Sequence, residues 1–267
     1  MHLRAIRFNG VSGAETAVFP FNIPAISKFK QLEITAPVTF LVGENGSGKS
    51  TFIEALALAV GANTIGSEDV GQDGTLTAVR ELANKLRLSW RARTRNGFFL
   101  RAEDFFGYVK RLTLMEAELL AELKQVDIDY VNRSETAKGY ARMPYENELR
   151  ALREQYGRHL GTYSHGESFL ELFQARFMPN SLYLLDEPET PLSPMRQITL
   201  ISLMKQMVAQ NCQFIVATHS PILMAYPDAA ILSFDYTPIE PVIYEELEHV
   251  TVTKSFLNDP GAFLKYL

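Results

Sequence analysis

The chain carries one cysteine, Cys212, in 267 residues. A lone thiol excludes a disulfide framework and any zinc site built on cysteines. It stands just ahead of the apolar run Phe214–Ala217, so a buried structural thiol is the expectation. No apolar stretch approaches the roughly 20 residues needed to cross a bilayer. The opening "MHLRAIRFNG" has arginines but no apolar signal-peptide core. A reducing, cytoplasmic setting without membrane insertion is therefore expected. An excess of positive charge is missing too: the formal net charge of −5 argues against a protein that coats nucleic acid indiscriminately. Internal repeats and low-complexity segments are absent, and no heptad pattern lasts three repeats, which excludes a long coiled-coil arm.

What is present is an ordinary globular composition, 46% apolar and 21% charged, enough for one α/β domain with a proper core. Four short apolar runs, Val38–Val42, Leu182–Leu185, Phe214–Ala217 and Ala229–Leu232, read as buried parallel strands. Helical patterns alternate with them. One spans Lys49–Val60; another spans Met195–Val208, with Ser193 as N-cap and Pro194 at the first helical position. Such alternation predicts a doubly wound sheet that binds ligands at the C-terminal edge of its strands. Between 107 and 161 the texture changes. Leu112, Met115, Leu119 and Leu123 mark one amphipathic helix and "ENELRALREQY" a second, which predicts a small helical subdomain.

A local basic patch runs from Arg80 to Arg101, with Lys85, Arg87, Arg91, Arg93 and Arg95 between them and Glu81 as the single acid. Arg87, Arg91, Arg93 and Arg95 occupy odd positions, one face of a strand. Two readings stay open: a solvated face, or a contact with a phosphate backbone or an acidic partner.

Three motifs carry chemistry. "GENGSGKST" fits the Walker A pattern over Gly43–Ser50, with a strand before it and a helix after it. Backbone N–H groups of Gly43, Asn45, Gly46, Ser47 and Gly48 would turn inward around phosphate oxygens. Lys49 would reach the β- and γ-phosphates of ATP, Ser50 would hold Mg²⁺ and Thr51 would steady the α-phosphate. "LYLLDEPE" sets Asp186 and Glu187 at the end of a buried strand; Asp186 suits coordination of Mg²⁺, and Glu187 suits polarising the attacking water. "FIVATHSP" ends the next strand with Thr218 and His219, the latter placed to sense a γ-phosphate. His2, His159 and His249 lack such a context and are read as surface or core residues. A fourth stretch, "TYSHGESFLELFQARF", puts Ser164 and Glu167 at a helix start. Ser164-x-x-Glu167 is a sufficient capping box, and a helix start is equally a seat for an anion.

The order of these motifs resembles the ATP-binding-cassette ATPases. "GENGSGKST", "GFFLRAEDFF", "SHGESF", "LYLLDEPE" and "FIVATHSPIL" are most similar to the soluble SMC/RecF/OLD-type branch and the stand-alone bacterial ATPases near it. The resemblance implies a P-loop NTPase fold with an ABC-type head over residues 1–267, a mixed or parallel sheet flanked by helices, and the helical subdomain at 107–161. It implies that "YSHGE" is the signature motif, in which Ser164, Gly166 and Glu167 would bind the γ-phosphate held by a second copy of the chain. Leu192–Pro194 would be the D-loop. One position departs: the family's Q-loop glutamine is missing from "FFLRAEDFF", and Glu103 is the expected replacement and metal-side ligand. The function implied is hydrolysis of Mg-ATP between head-to-tail protomers, with Lys49, Glu187 and His219 catalytic, as a switch in DNA-related or defence processes. Two alternatives stay open: the nucleotide-binding subunit of a transporter, and an ATP-gated module for a separate effector protein.

Overall fold

Strand β3 (Val38–Val42) is buried at every residue, as are β7 (Leu182–Asp186) and β8 (Gln213–Ala217). A strand apolar on both faces must lie inside a sheet covered on both sides. The computed structural model, which describes residues 1–65, 77–156 and 165–265, has these strands at the centre of a seven-stranded sheet. With β1 (Leu3–Phe8), β2 (Gln31–Glu33), β4 (Asn63–Ile65), β5 (Leu86–Trp90), β6 (Phe98–Arg101), β9 (Ala230–Ser233) and β10 (Glu240–Pro241), two sheets form among the described residues. The larger has the order β10-β9-β3-β8-β7-β6-β4, parallel throughout except for the β9–β10 pair. The smaller, β2-β1-β5, is antiparallel.

The helices are α1 (Pro24–Lys28), α2 (Lys49–Val60), α3 (Thr77–Lys85), α4 (Ala102–Asp129), α5 (Glu135–Tyr156), α6 (His165–Arg176), α7 (Pro194–Ala209), α8 (Pro221–Met224), α9 (Glu248–Asn258) and α10 (Pro260–Leu264). The α/β architecture and the four apolar strands agree with the sequence. So does α2, and α7 begins at Pro194 behind Ser193, although the Ser193 side chain makes no capping bond.

The chain divides into two units, Met1–Ala102 with Met178–Leu267, and Glu103–Phe177. In the first, an aromatic chain fixes α2. Phe8 stacks on Phe29, Phe29 meets Phe52 edge-on, and Phe52 meets Phe234. Packed rings of this kind add to the burial of their large apolar areas. A second tie is polar and buried: Gln213 accepts from the backbone N–H groups of His2 (2.8 Å) and Leu3 (2.7 Å) and donates to the Leu3 carbonyl (2.9 Å). It pins the first strand of the small sheet to β8. His2 is buried beside it, its ring nitrogens on the carbonyls of Ala92 and Asn211, so the core reading of this histidine holds. Cys212 is buried as well, its thiol 3.2 Å from the Met178 carbonyl, and burial pushes its pKa up.

The arginine strand is a correction. Strand β5 ends at Trp90, so Arg87 alone of the four lies in it, and Arg91, Arg93 and Arg95 follow in the irregular connection to β6. The registered pairing with β1 ends at Leu3 opposite Trp90; beyond it the Arg91 N–H donates once more, to the His2 carbonyl at 2.7 Å, and the chain then leaves the sheet.

The second unit is wider than the 107–161 stretch marked by the change of texture, and it is elongated. Helices α4 and α5 have 28 and 22 residues, about 42 and 33 Å of helix at 1.5 Å per residue. They run antiparallel: Glu116 accepts from Arg153 (2.8 Å), and farther along Asp127 accepts from Arg142 and Lys138. Leu112 and Leu152 form the small apolar seam with Tyr108 and Leu119, whereas Met115 of the expected stripe is exposed.

Gly97 generates a test. It has φ +112°, and a Cβ there would lie 1.8 Å from the Leu182 carbonyl oxygen at the start of the β6–β7 pairing. Gly97→Ala should cost about 3 kcal/mol or more in urea denaturation, combining backbone strain with a clash that no side chain can relieve. Gly107→Ala, within α4 where a Cβ meets nothing within 4 Å, should be neutral or stabilise by about 0.5–1 kcal/mol.

Candidate functional site

The loop between β3 and α2 turns on glycines at positive φ: Gly43 (+144°), Gly46 (+82°) and Gly48 (+100°). A side chain at Gly48 would strike Ile23, and one at Gly43 would strike Asp235. Asp235 braces the loop from outside, accepting the Glu44 N–H at 2.7 Å. Lys49 opens α2 and is buried; its Nζ donates to the carbonyls of Gly43 (2.7 Å) and Glu44 (2.9 Å), with Ser47 Oγ at 3.5 Å. Burial lowers the Lys49 pKa, against the pull of Asp235, Glu187 and Asp186. The loop thus closes around its own ammonium.

A cavity of about 430 Å³ lies over this loop, lined by Asn45, Gly46, Gly48, Lys49, Ser50, Thr51 and, from the other side, Glu187, Phe19, Asn22, Ile23 and Pro24. The helix dipole and free N–H groups of α2 point an anion site into it. Ser50 Oγ donates to Asp186 Oδ1 at 3.2 Å. Asp186, at the end of β7, is buried, and burial, then the Glu54 carboxylate, push its pKa up to about 7. Arg101, at the end of β6, partly offsets this, 3.2 Å from Glu54 and 4.0 Å from Asp186. Neither Glu54 nor this place of Arg101 is legible from the motifs: the parallel register sets Arg101 opposite Asp186, and Glu54 reaches them from the buried face of α2.

Glu187 follows the strand with φ +50°. Its N–H donates to the Ala217 carbonyl at 2.9 Å, which extends the β7–β8 ladder by one residue. Its side chain, 42% exposed, reaches to 4.0 Å from His219 Nε2. Glu189, not singled out from the sequence, ties the two strand ends together: one carboxylate oxygen accepts from Thr218 Oγ1 and from the His219 N–H, both at 2.7 Å. Its other oxygen is buried without a hydrogen-bond partner among the described residues, and burial raises the carboxyl pKa. His219 is pushed down by burial, then by Lys49 and His249. His249 corrects the sequence reading: it is no isolated surface or core residue, because its Nε2 lies 3.1 Å from His219 Nδ1. No motif flags it.

Other expected site residues are not brought to this cavity by anything described. Ser164, Tyr163 and His159 lie outside the described residues; Gly166 and Glu167 fall in the first turn of α6, and their side chains lie outside them as well. Glu103 is exposed in the first turn of α4, at the start of the second unit. Of the D-loop residues, Leu192 is buried and its carbonyl accepts from Gln197.

A sequence model of the AAA domain matches residues 21–137. A second AAA-domain model, whose description adds the AbiEii toxin and a type IV TA system, matches residues 168–225. The first match contains the Walker A loop and the second contains Asp186, Glu187 and His219. Curated proteins give no match. Among solved structures, the Smc head domain of Pyrococcus furiosus, bound to the C-terminal domain of ScpA, is 13% identical over 96% of this chain and 99% of its own, with TM-score 0.48. A nucleotide-free ATP-binding cassette from an ABC transporter is 17% identical over 100% and 99%, with TM-score 0.49. The SMC head domain from Thermotoga maritima is 18% identical over 91% and 100%, with TM-score 0.42. The glycine loop between β3 and α2 and the parallel order of the large sheet give a P-loop α/β fold, and the two AAA-domain matches cover parts of the chain that carry it.

Glu189 yields a pH prediction. A carboxyl whose folded pKa is raised stabilises the fold fully only below its unfolded value, and that contribution is lost as pH rises. Glu189→Gln keeps the accepting oxygen and removes the charge. Its stability relative to the natural protein should therefore rise with pH from about 4 upward. Glu189→Ala strands both donors and should cost about 2–4 kcal/mol at neutral pH. Urea denaturation across pH 4–8 measures both; a pH-independent difference for Glu189→Gln contradicts the assignment.

Proposed function

We propose that this P-loop protein binds and hydrolyses Mg-ATP, and that hydrolysis is completed by a second copy of the chain. The observation that carries the reading is the convergence of Lys49, Ser50, Thr51 and Glu187 on one cavity, with Asp186 hydrogen-bonded to Ser50 behind it. In this reading Lys49 leaves the loop carbonyls for the β- and γ-phosphates, and the loop N–H groups from Gly43 to Gly48 cradle them. Thr51 steadies the α-phosphate. Phe19, exposed on the cavity's rim, offers the flat face on which an adenine would stack.

Magnesium fits the residues present. Ser50 and Asp186 supply hard oxygen ligands, and a buried carboxylate disfavoured in its charged form gains from a nearby cation. Among the described residues no cluster of three or more His, Cys, Asp or Glu side chains is built to hold a metal. The remaining positions fall to phosphate oxygens and water, as Mg²⁺ prefers. The ion would neutralise charge on the phosphates; Glu103 as a further ligand remains part of the proposal. Glu187 takes up the proton side of water attack, and His219 faces the γ-phosphate.

The exposure of Glu187 supports a site shared between two copies. Glu187 is too open to solvent to hold a water in a dry site by itself, and efficient electrostatic catalysis needs water excluded. A second protomer presenting Ser164, Gly166 and Glu167 would close it. No described helix is long and apolar enough to cross a membrane. Glu187→Gln should retain ATP binding, lower turnover at least about a hundredfold, and accumulate as an ATP-bound dimer in light scattering. A variant that stays monomeric in saturating Mg-ATP overturns the shared site.

A second reading, coupling of turnover to nucleic acid, is favoured by charge segregation. Residues 1–35 and 77–97 hold ten lysines and arginines against three acids in a chain of net charge −5. Arg7 and Arg87 are exposed and stand directly opposite each other across β1 and β5. Like charges so paired are unfavourable until an anion neutralises them. Duplex DNA should therefore stimulate ATPase activity in low salt, with stimulation fading steeply as salt rises. Arg7→Ala with Arg87→Ala should flatten the log–log salt dependence of binding by about two units. A salt-independent response in the natural protein assigns the arginines to a solvated face.

A further inference from the structure

His219 and His249 meet through ring nitrogens, Nδ1 to Nε2 at 3.1 Å, with the rings 5.2 Å apart and inclined at 54°. Each neutral imidazole carries one N–H, so this contact has one donor and one acceptor. The choice decides what His219 presents to Glu187, which lines the cavity. Were His219 the donor, its Nε2 would be a bare lone pair, buried, without a hydrogen-bond partner among the described residues and 4.0 Å from a Glu187 carboxylate oxygen. Two centres of negative charge would then face each other. With His249 as donor, the His219 proton sits on Nε2 and points towards that carboxylate, which is favourable. The direction of the bond is thus set by the charge on the far side of the His219 ring.

We propose that His249 is a positioning residue: its Nε2–H donates to Nδ1 of His219 and holds that ring as the Nε2–H tautomer, so that a hydrogen-bond donor faces the triphosphate site. Only the last clause rests on the ATPase reading; the tautomer is a property of the nucleotide-free chain. Other contacts support a fixed ring. The His219 backbone N–H is held by Glu189 at 2.7 Å, so the strand end cannot swing. His249 lies in the first turn of α9, and its neighbour Val250 is buried. Burial and Lys49 both disfavour the imidazolium at His219, which leaves the neutral ring whose tautomer matters. The second histidine therefore does for the first what a hydrogen-bonded partner does for a metal-bound imidazole: it settles which nitrogen carries the proton.

The test uses the full chain with ring-¹⁵N histidine, free of nucleotide at pH 8, with the His219 signals assigned by their loss in His219→Gln. The expected result is an Nε2–H ring at His219. His249→Gln, whose side-chain N–H can still donate to Nδ1, should keep that tautomer, whereas His249→Glu, which only accepts, should move the proton to Nδ1. In turnover, His249→Gln should stay within about threefold of the natural protein, while His249→Glu and His249→Leu lose about tenfold or more in kcat with KM for ATP little changed. A natural protein whose His219 carries its proton on Nδ1 overturns the proposal. So does a His249→Leu variant that is folded and keeps both tautomer and turnover. Should the natural protein fail to hydrolyse ATP, the ATPase reading falls while the labelled spectra still decide the tautomer.

Discussion

A buried ammonium governs the architecture around the Walker A loop. Lys49 leaves water at the first turn of α2, and an isolated charge in that position would be costly. The carbonyls of Gly43 and Glu44 satisfy it at 2.7 and 2.9 Å, but only because the loop curls back over the side chain. That curl needs positive φ at Gly43, Gly46 and Gly48, and at two of the three a Cβ would also collide with Asp235 or Ile23. The aromatic chain from Phe8 through Phe29 and Phe52 to Phe234 then keeps α2 where the curl requires it. Glycine choice, core packing and the anion-seeking end of the helix are consequences of one charge placed indoors.

The same constraint explains the carboxylates. Lys49 spends its hydrogen bonds on carbonyls, so Asp186 is left with a hydroxyl from Ser50 and a guanidinium 4.0 Å away. Burial then outweighs Arg101, and the acid is held near neutrality. A carboxyl in this condition is buried and incompletely compensated, which favours an incoming cation and polyphosphate together over either alone. The arrangement is poised for a ligand that brings both signs.

The central strands were legible because a strand buried on both faces shows as an unbroken apolar run; Val38–Val42 reads the same in sequence and in space. Lys49–Val60 was legible because loop glycines and a following apolar helix leave little else to form. What the sequence could not carry is long-range partnership. Strand β5 stops at Trp90, where its registered pairing with β1 ends at Leu3, and the arginine periodicity beyond it says nothing of that. His249 gives no motif because its meaning comes from a residue 30 positions away. Arg101 and Glu54 are joined by the packing of α2 against the sheet rather than by sequence spacing. Met115 keeps helical period yet faces out, since the α4–α5 hairpin offers only a narrow seam around Leu112 and Leu152.

Glu187 shows where the chain accepts a local penalty. Its φ of +50° places a non-glycine residue in the left-handed region, at a cost of about 1–2 kcal/mol. Pro188 follows directly and narrows its backbone choices further. Relaxing to an extended conformation would carry the side chain on along the strand direction and break the N–H bond to the Ala217 carbonyl. That bond, continuing the ladder between β7 and β8, is what holds the residue in its unfavourable basin. The neighbouring ladder end belongs to Thr218 and His219, and Glu189 clamps both. Strain at Glu187, the buried half-satisfied carboxylate of Glu189 and the ring contact at His219 therefore sit on two adjacent strand ends, each supported by the next. An arrangement that collects unfavourable terms in one place, within an otherwise well-packed sheet, is what the proposed nucleotide site requires of these two strand ends.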